Sequence, residues 1–599
     1  MSEVLKERAE IDPRYQWDLS TLYPDDDAWE ADFATLPDAI AKVTAYQGKL
    51  TDAETIHACF VADTELDRKL SNLFVYANVR RSEDTRAEAA QNLYLRIYGG
   101  YVQAISATAF LSPEILDLPE EDLNRIAEDP VLADYRFTME KLLRRKPHTL
   151  SAKEEQLLAR FGEVFAAPSE AASNLQDADL TYDSVTDSEG KEHEVSDAGY
   201  IELQMSGDRT LRENAFKSYY KGYRGHINTF AATYAGTVKG ATAEAEVRHY
   251  GSSREMFMAG ENIPVSVYDS LIEAVRAHLP TMYRYVDFRK KMLGLSELHY
   301  YDVYAPLVAG SDRKYTYEQA QEMVLAAVAP LGEEYQKIVR GAFADRWIDV
   351  YPNKGKSGGA YSTGTYDSNP FIMTNFTGNL DSVSTIAHEM GHSLHSWFSR
   401  HTQPPQYADY TIFVAEVAST VNENLLTQLL LSQIEDPKER LSLLNHSLEN
   451  FKGTVYRQTM FAEFEKGAHA MAENGEALTP AALDALYGGL VRDYFGDGLT
   501  MDEEVAHEWA RIPHFYNPFY VYKYATSYSA AVALSEKILS EGETAVKPYL
   551  EFLSMGGSRD PLDELRHAGV DLSTPDPVNA ALDKFDAILT EAEALAEQV

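Results

Sequence analysis

Apolar side chains recur at helical spacing along most of this chain. From Glu54 to Ser106 the sequence is nearly free of Pro and Gly, and Leu66, Leu70, Leu73, Val75 and Tyr76 mark an apolar helical face. Shorter helices are predicted over 123–128, where Asp129-Pro130 stops the pattern, and over 132–143. Another is predicted over 152–166, opened by Ser151 and closed by Pro168. Between Asp179 and Val195 the spacing shortens around Asp187-Ser188-Glu189-Gly190, which predicts an exposed hairpin. That hairpin is the expected boundary between an N-terminal helical region, 1–195, and a second region, 196–599. Helical spacing resumes over 208–248 and 265–293. Four short aromatic or β-branched segments follow, at 300–304, 347–351, 359–363 and 371–375, and they predict strands of one small sheet. Nearly everything after Asp381 reads as helix again. The expected fold class is mostly α, with a small β-sheet just before a helix that carries unusual chemistry.

Composition narrows the partners. The 599 residues hold 54 basic and 94 acidic side chains, a formal charge of −40, which argues against nucleic acid or anionic membrane as a partner. The single cysteine, Cys59, rules out an intrachain disulfide framework and a cysteine-based structural zinc site. The charged N-terminus lacks the apolar core of a signal peptide, and no apolar run approaches bilayer length. A cytoplasmic location is expected, and the oligomeric state is left open.

The chemistry begins at His388-Glu389-Met390-Gly391-His392. On a helix, residues four apart lie one turn above each other, so both imidazoles reach a single Zn²⁺ while Glu389 sits beside it as a general base. Val383, Ile386, Ala387, Met390, Leu394, Trp397 and Phe398 make a wide apolar face, and Asp381 or Ser382 is the expected cap. A metzincin would need Gly at position 395 and His at 398, where the chain has His395 and Phe398. His395 lies two turns from His388, too far to share an ion, and is expected to face substrate or support a ligand. Glu416, set in Ile412-Phe413-Val414-Ala415-Glu416-Val417-Ala418, is the expected third ligand, because an unpaired carboxylate among apolar neighbours is costly. A loop at 401–406 lets its helix return antiparallel to the first. Glu423, between Asn422 and Asn424, is expected in a wetter setting, supporting a ligand or solvated.

Two further stretches are candidates for substrate contact. Pro513 to Tyr524 packs His514, Tyr516, Tyr520, Tyr522, Lys523 and Tyr524 together, and His514, Tyr520 and Tyr524 are the expected hydrogen-bond donors to an oxyanion or substrate. Gly358, Gly359, Ala360 and Tyr361 suit a strand that a peptide backbone approaches closely. The preceding Gly355-Lys356-Ser357 is not a phosphate loop, since position 350 is Val where that motif needs Gly.

Taken together, the segments 388–395, 413–419, 358–362 and 514–526 resemble those of the oligoendopeptidase F family, within the wider thimet oligopeptidase group of zinc peptidases. The resemblance spans almost the whole chain. It implies a two-lobed helical shell around a deep substrate channel, one Zn²⁺ per chain, and cleavage of short peptides at internal bonds. It also implies that His388, His392 and Glu416 are ligands, with Glu389 the base and His514 and Tyr520, then Tyr524, assisting. The spacing from His514 to these tyrosines departs from the thimet branch, which leaves their individual assignments open. Two alternatives stand beside this reading: a carboxypeptidase or dipeptidyl carboxypeptidase, and a non-enzymatic peptide-binding protein with a structural metal.

Overall fold

Helical spacing becomes helix over most of the chain in the computed structural model, which describes residues 5–308 and 313–598. The chain forms two compact units, one from residues 1–153, 312–429 and 534–570 and the other from 154–311, 430–533 and 571–599.

In the first unit, the helix Ala53–Glu83 buries Ile56, Cys59, Leu66, Leu70, Leu73 and Tyr76 against Trp29, Leu93, Leu123 and Met139. Each fully buried aliphatic side chain of this kind contributes about 1.5–3 kcal/mol. Cys59 is therefore a core side chain. The stretch from Glu54 to Ser106 is not continuous helix: it breaks at 84–87 and restarts as Glu88–Thr108. Tertiary hydrogen bonds decide the break. Thr85 donates its N–H to Gly355 O at 2.7 Å, and Ser357 donates to Ser82 O at 3.0 Å, while the Asp84 carboxylate takes up the Arg86 N–H at 2.9 Å.

Three of the four predicted strand segments do form one sheet, in the order Ile348–Asp349, Phe371–Met373, Tyr361–Thr363. The first pair is parallel, with Ile348 opposite Ile372, and the second antiparallel, with Ser362 opposite Ile372. Phe371–Met373 is buried on both faces, which leaves Tyr361–Thr363 at an edge of the sheet. Lys356 closes the loop between them. Its ammonium is buried, pairs with Asp349 at 2.6 Å and donates to the carbonyls of Asp349, Tyr351 and Thr374 at 3.1, 2.8 and 2.6 Å. All of that lysine's hydrogen-bonding capacity is spent on the fold.

The fourth segment, 300–304, is a correction. Only Leu298–His299 is strand, paired in parallel with Leu499–Thr500, and Tyr300–Asp302 turns as a 3-10 helix. Asp302 forces the turn. It is buried, accepts the His299 N–H at 3.1 Å and pairs with Arg212 at 2.7 Å, so the chain must curl around it.

These residues belong to the second unit, where the expected 179–195 hairpin also forms, with Val185 opposite His193 and Thr186 opposite Glu192. Here 208–248 divides into Arg209–Gly225 and Ile227–Val247, and 265–293 into Val265–Ala277 and Leu279–Met292. The helix predicted over 152–166 is likewise two, Ala152–Arg160 and Gly162–Asn174, and Pro168 lies inside the second rather than ending a helix. Gly236 gives the proline ring its space, since a Cβ there would come within 2.9 Å of it.

Candidate metal centre and downstream cluster

Two helices of the first unit carry the His-Glu motif and the carboxylate expected to join it. The first, Leu380–Thr402, is capped by Asn379, whose side chain accepts the Ser382 N–H at 2.9 Å, so neither Asp381 nor Ser382 is the cap. Its apolar face is buried at Val383, Ile386, Ala387, Met390, Leu394 and Phe398, while Trp397 is half-buried. The second helix, Ile412–Gln433, runs antiparallel to the first: Ala387 O accepts from Asn422 at 3.1 Å, and farther along Gly391 abuts Ala418 and Ser419. Asn422 is thus buried between the helices, bonded also to the Tyr335 hydroxyl at 3.0 Å, and is not the wet neighbour its side chain suggested. Gly391 is essential to this approach. A Cβ there would sit 2.5 Å from Ala418 O and from Ser419 Cα, so only glycine lets the two backbones come this close.

The close approach assembles a triangle of ligand atoms. His388 Nε2 and His392 Nε2 are 3.2 Å apart, and each lies 3.4 Å from Glu416 Oε2. Among the described residues this is the one His/Cys/Asp/Glu group whose donor atoms converge closely enough to share an ion. Three ligands of a tetrahedral zinc at about 2.0–2.1 Å are separated by about 3.3–3.4 Å, so the triangle fits such an ion without rearrangement. The electrostatics also favour a cation. Burial alone would lower the His388 pKa, but Glu423, Glu416 and Glu389 outweigh it and raise it to about 9. Burial alone would raise the Glu416 pKa, but the two imidazoles outweigh it and bring it down to about 2. Ser419 fixes this carboxylate further by donating to Oε2 at 3.0 Å.

Glu423 is placed by the fold behind His388. Its Oε1 accepts from His388 Nδ1 at 3.0 Å, which directs the Nε2 lone pair into the triangle. Glu389 is 6% exposed, and its Oε2 has no hydrogen-bond partner among the described residues. Burial raises its pKa, opposed by His388 and His392. His395 does not open toward solvent. It is 1% exposed and stacks on Tyr410 at 3.6 Å and against Phe552 at 5.2 Å, and burial lowers its pKa to about 3. The ring therefore packs, neutral, in the core, which favours the supporting role expected of it over the substrate-facing one.

The edge strand is tied to the same helix by Ser362 Oγ and Ser393 Oγ, 2.8 Å apart. Asn375 holds the approach to that strand, donating to Ser357 O and Gly359 O at 2.9 Å each. Gly358 and Gly359 are exposed, and Ala360 and Tyr361 half-buried. Gly359 adopts φ +76°, a conformation that disfavours any side chain there.

In the second unit, His514, Tyr520 and Tyr524 come together. The Tyr524 hydroxyl is 3.5 Å from His514 Nε2, and the Tyr520 ring lies 5.4 Å from Tyr524 and 6.3 Å from His514. Burial, then the Arg457 charge, lowers the His514 pKa, which favours a neutral ring. Sequence reasoning missed Arg457, Gly391 and Ser393. Of these, only Gly391, as a glycine inside a helical motif, carried a signal.

A family model described as Peptidase family M3 matches residues 202–584, and one described as Oligopeptidase F matches 114–182. Oligopeptidase PepF of Bacillus subtilis is 45% identical over 99% of this chain and 89% of its own length. The crystal structure of oligoendopeptidase-F from Enterococcus faecium superposes with a TM-score of 0.76 at 35% identity, covering 96% of this chain and 100% of that one. A solved structure from Chlamydophila abortus, also 35% identical, reaches a TM-score of 0.92 over 99% of this chain and 100% of its own.

Proposed function

The chain belongs to peptidase family M3 and is a metalloendopeptidase, and from that premise we propose that it is a zinc-dependent oligoendopeptidase cleaving internal bonds of short peptides. The observation that carries the metal assignment is the triangle of His388, His392 and Glu416, with edges of 3.2, 3.4 and 3.4 Å matching a tetrahedral zinc. When bound, such an ion supplies Lewis acidity and lowers the pKa of water toward about 7.

The protein's own residues do the rest. Glu389 takes a proton from the attacking water at its unpartnered Oε2 and returns it to the departing amine nitrogen. Its high intrinsic proton affinity, set by burial, suits both transfers. Glu423 holds His388 in the tautomer that leaves Nε2 free. The free edge of Tyr361–Thr363 pairs with the extended backbone of the substrate, and Gly358, Gly359 and Ala360 keep side-chain bulk out of its way. His514, Tyr520 and Tyr524 form a separate cluster of hydrogen-bonding groups of the kind that contacts a peptide substrate. His395 supports the ligand helix by packing.

Mass-spectrometric mapping of cleavage in peptides of graded length, including N- and C-blocked ones, tests this reading. Internal cuts in blocked short peptides, abolished by a chelator, fading with length and restored by zinc, are expected. Glu389→Gln should keep metal content and lose about 10²–10⁴-fold in kcat. Cuts confined to free C-termini, or unchanged turnover in Glu389→Gln, would refute it.

Among the described residues no helix is long and apolar enough to cross a membrane. With its acidic charge, this supports a protein that meets its peptides in the aqueous phase, and we place it in the cytoplasm.

A further inference from the structure

Phe519, just before Tyr520, has φ +56°. Holding a phenylalanine in that left-handed region costs about 1–3 kcal/mol, and such strain persists only where surrounding contacts enforce it. Two contacts do so. The Phe519 ring is boxed by His469, Tyr268 and Phe257, with ring centroids 4.5, 5.8 and 6.2 Å away. Its N–H donates to Glu465 Oε1 at 3.0 Å, from the helix Arg457–Glu473.

Glu465 is an odd choice for that place. It is 0% exposed, and its Oε2 has no hydrogen-bond partner among the described residues. Burial raises its pKa well above the carboxylate range, opposed only by the Phe519 N–H, which favours the neutral acid. For stability alone, an apolar side chain of similar size would serve this core as well or better, because an unsatisfied buried oxygen costs about 1–3 kcal/mol. What a carboxyl does here that leucine cannot is accept the Phe519 N–H. The rest of the turn is pinned separately: Asn517 donates to His514 O at 2.9 Å, the Tyr516 hydroxyl meets Thr233 Oγ1 at 2.8 Å, and Lys523 pairs with Glu261 at 2.5 Å. The φ of Phe519 is the hinge between these pins, and rotating it swings Tyr520 and the start of the helix bearing Tyr524.

We propose that Glu465 is a positioning residue of this peptidase, holding the strained Phe519 turn so that Tyr520 and Tyr524 are set against His514. The proposal rests on the reading of those three residues as substrate-facing. Its test compares Glu465→Leu, Glu465→Gln, Tyr520→Phe and the double variant Glu465→Leu/Tyr520→Phe in the full-length, metal-loaded enzyme. Glu465→Leu should keep its metal content and its Tm but lose about 10–100-fold in kcat, with KM changing less. Glu465→Gln, which retains a neutral acceptor, should recover most of that loss. The double variant should be little worse than the more impaired single one, because both act through Tyr520. If Glu465→Leu does not fold, Glu465→Met is read in the same way. Wild-type kcat in Glu465→Leu beside an impaired Tyr520→Phe would overturn the positioning role, as would fully additive losses. Wild-type kcat in both Tyr520→Phe and His514→Ala would instead overturn the reading beneath it.

Discussion

Gly391→Ala adds one methyl group and should disable the metal centre. The new Cβ would lie 2.5 Å from Ala418 O, 2.5 Å from Ser419 Cα and 2.7 Å from Ser419 N, where ordinary van der Waals contact starts near 3.4 Å. All three atoms are backbone, so no side chain can swing aside, and the helices must separate by nearly ~1 Å. Overpacking of this kind costs about 1–3 kcal/mol in stability. The larger effect falls on the metal. Glu416 precedes Ala418 by half a turn, so the shift carries its Oε2 away from two imidazole nitrogens that now lie 3.4 Å off. Metal sites tolerate about 0.2 Å of ligand displacement, and disturbing the support of a ligand weakens binding by about 10–100-fold. A competition titration with a chromophoric chelator reads the affinity, and calorimetry reads the Tm. Gly341→Ala is the control. That glycine lies in the helix Glu333–Ala344 with nothing within 4 Å of its would-be Cβ, so the change should raise stability by about 0.5–1 kcal/mol and leave metal affinity alone. A Gly391→Ala protein with wild-type metal affinity and Tm would refute the claim that glycine sets the spacing of the helices.

Three further outcomes are expected. Glu416→Ala should abolish tight metal binding, whereas Glu423→Ala, which removes only the hydrogen bond to His388 Nδ1, should weaken it by about 10–100-fold; equal losses on titration would mean the two roles are misassigned. Lys356→Met, which takes one of two cationic partners from the buried Asp349 carboxylate, leaving Arg8 at 2.8 Å, and removes the lysine's hydrogen bonds to three carbonyls, should cost about 1–3 kcal/mol in denaturant unfolding, and a neutral result would show that the lysine does not close the loop. Glu564, 1% exposed, has its pKa raised by burial from 4.5 to about 8, so the folded protein keeps a proton that the unfolded chain has released. Its contribution is complete below pH ~4.5 and is lost as pH rises through about 8, on the order of a few kcal/mol in all. Unfolding free energies of wild type and Glu564→Gln should therefore diverge between pH 4.5 and about 8, and parallel curves across that range would contradict the assignment.

Several parts of this protein were legible in the linear chain because they depend on local periodicity or on chemistry that few residues can perform. His388, Glu389 and His392 announce themselves by spacing on an amphipathic helix, and Glu416 by the cost of a carboxylate among apolar neighbours. The helical class follows from period, and three of the four short strands from aromatic or β-branched segments separated by turn residues. Contacts between residues far apart in sequence were not legible, since nothing near either partner records them. The helix break at 84–87 is made by hydrogen bonds to Gly355 and Ser357, some 270 positions away, and the turn at 300–302 by the Arg212 pair with a buried Asp302. Pro168 sits inside a helix because Gly236 in another leaves it room. The same holds for the candidate site. Asn422 read as wet, yet the fold buries it between helices; Glu423 and His395 each read in two ways, and the fold selects the supporting one, setting Glu423 against His388 and packing His395 on Tyr410. The sequence by itself determined which groups could bind a metal and move a proton, because that is a property of residue type and helical pitch. Only the tertiary structure decided how close they come, because the 3.2–3.4 Å triangle depends on two backbones meeting at Gly391, and that distance is set by packing rather than by any local preference.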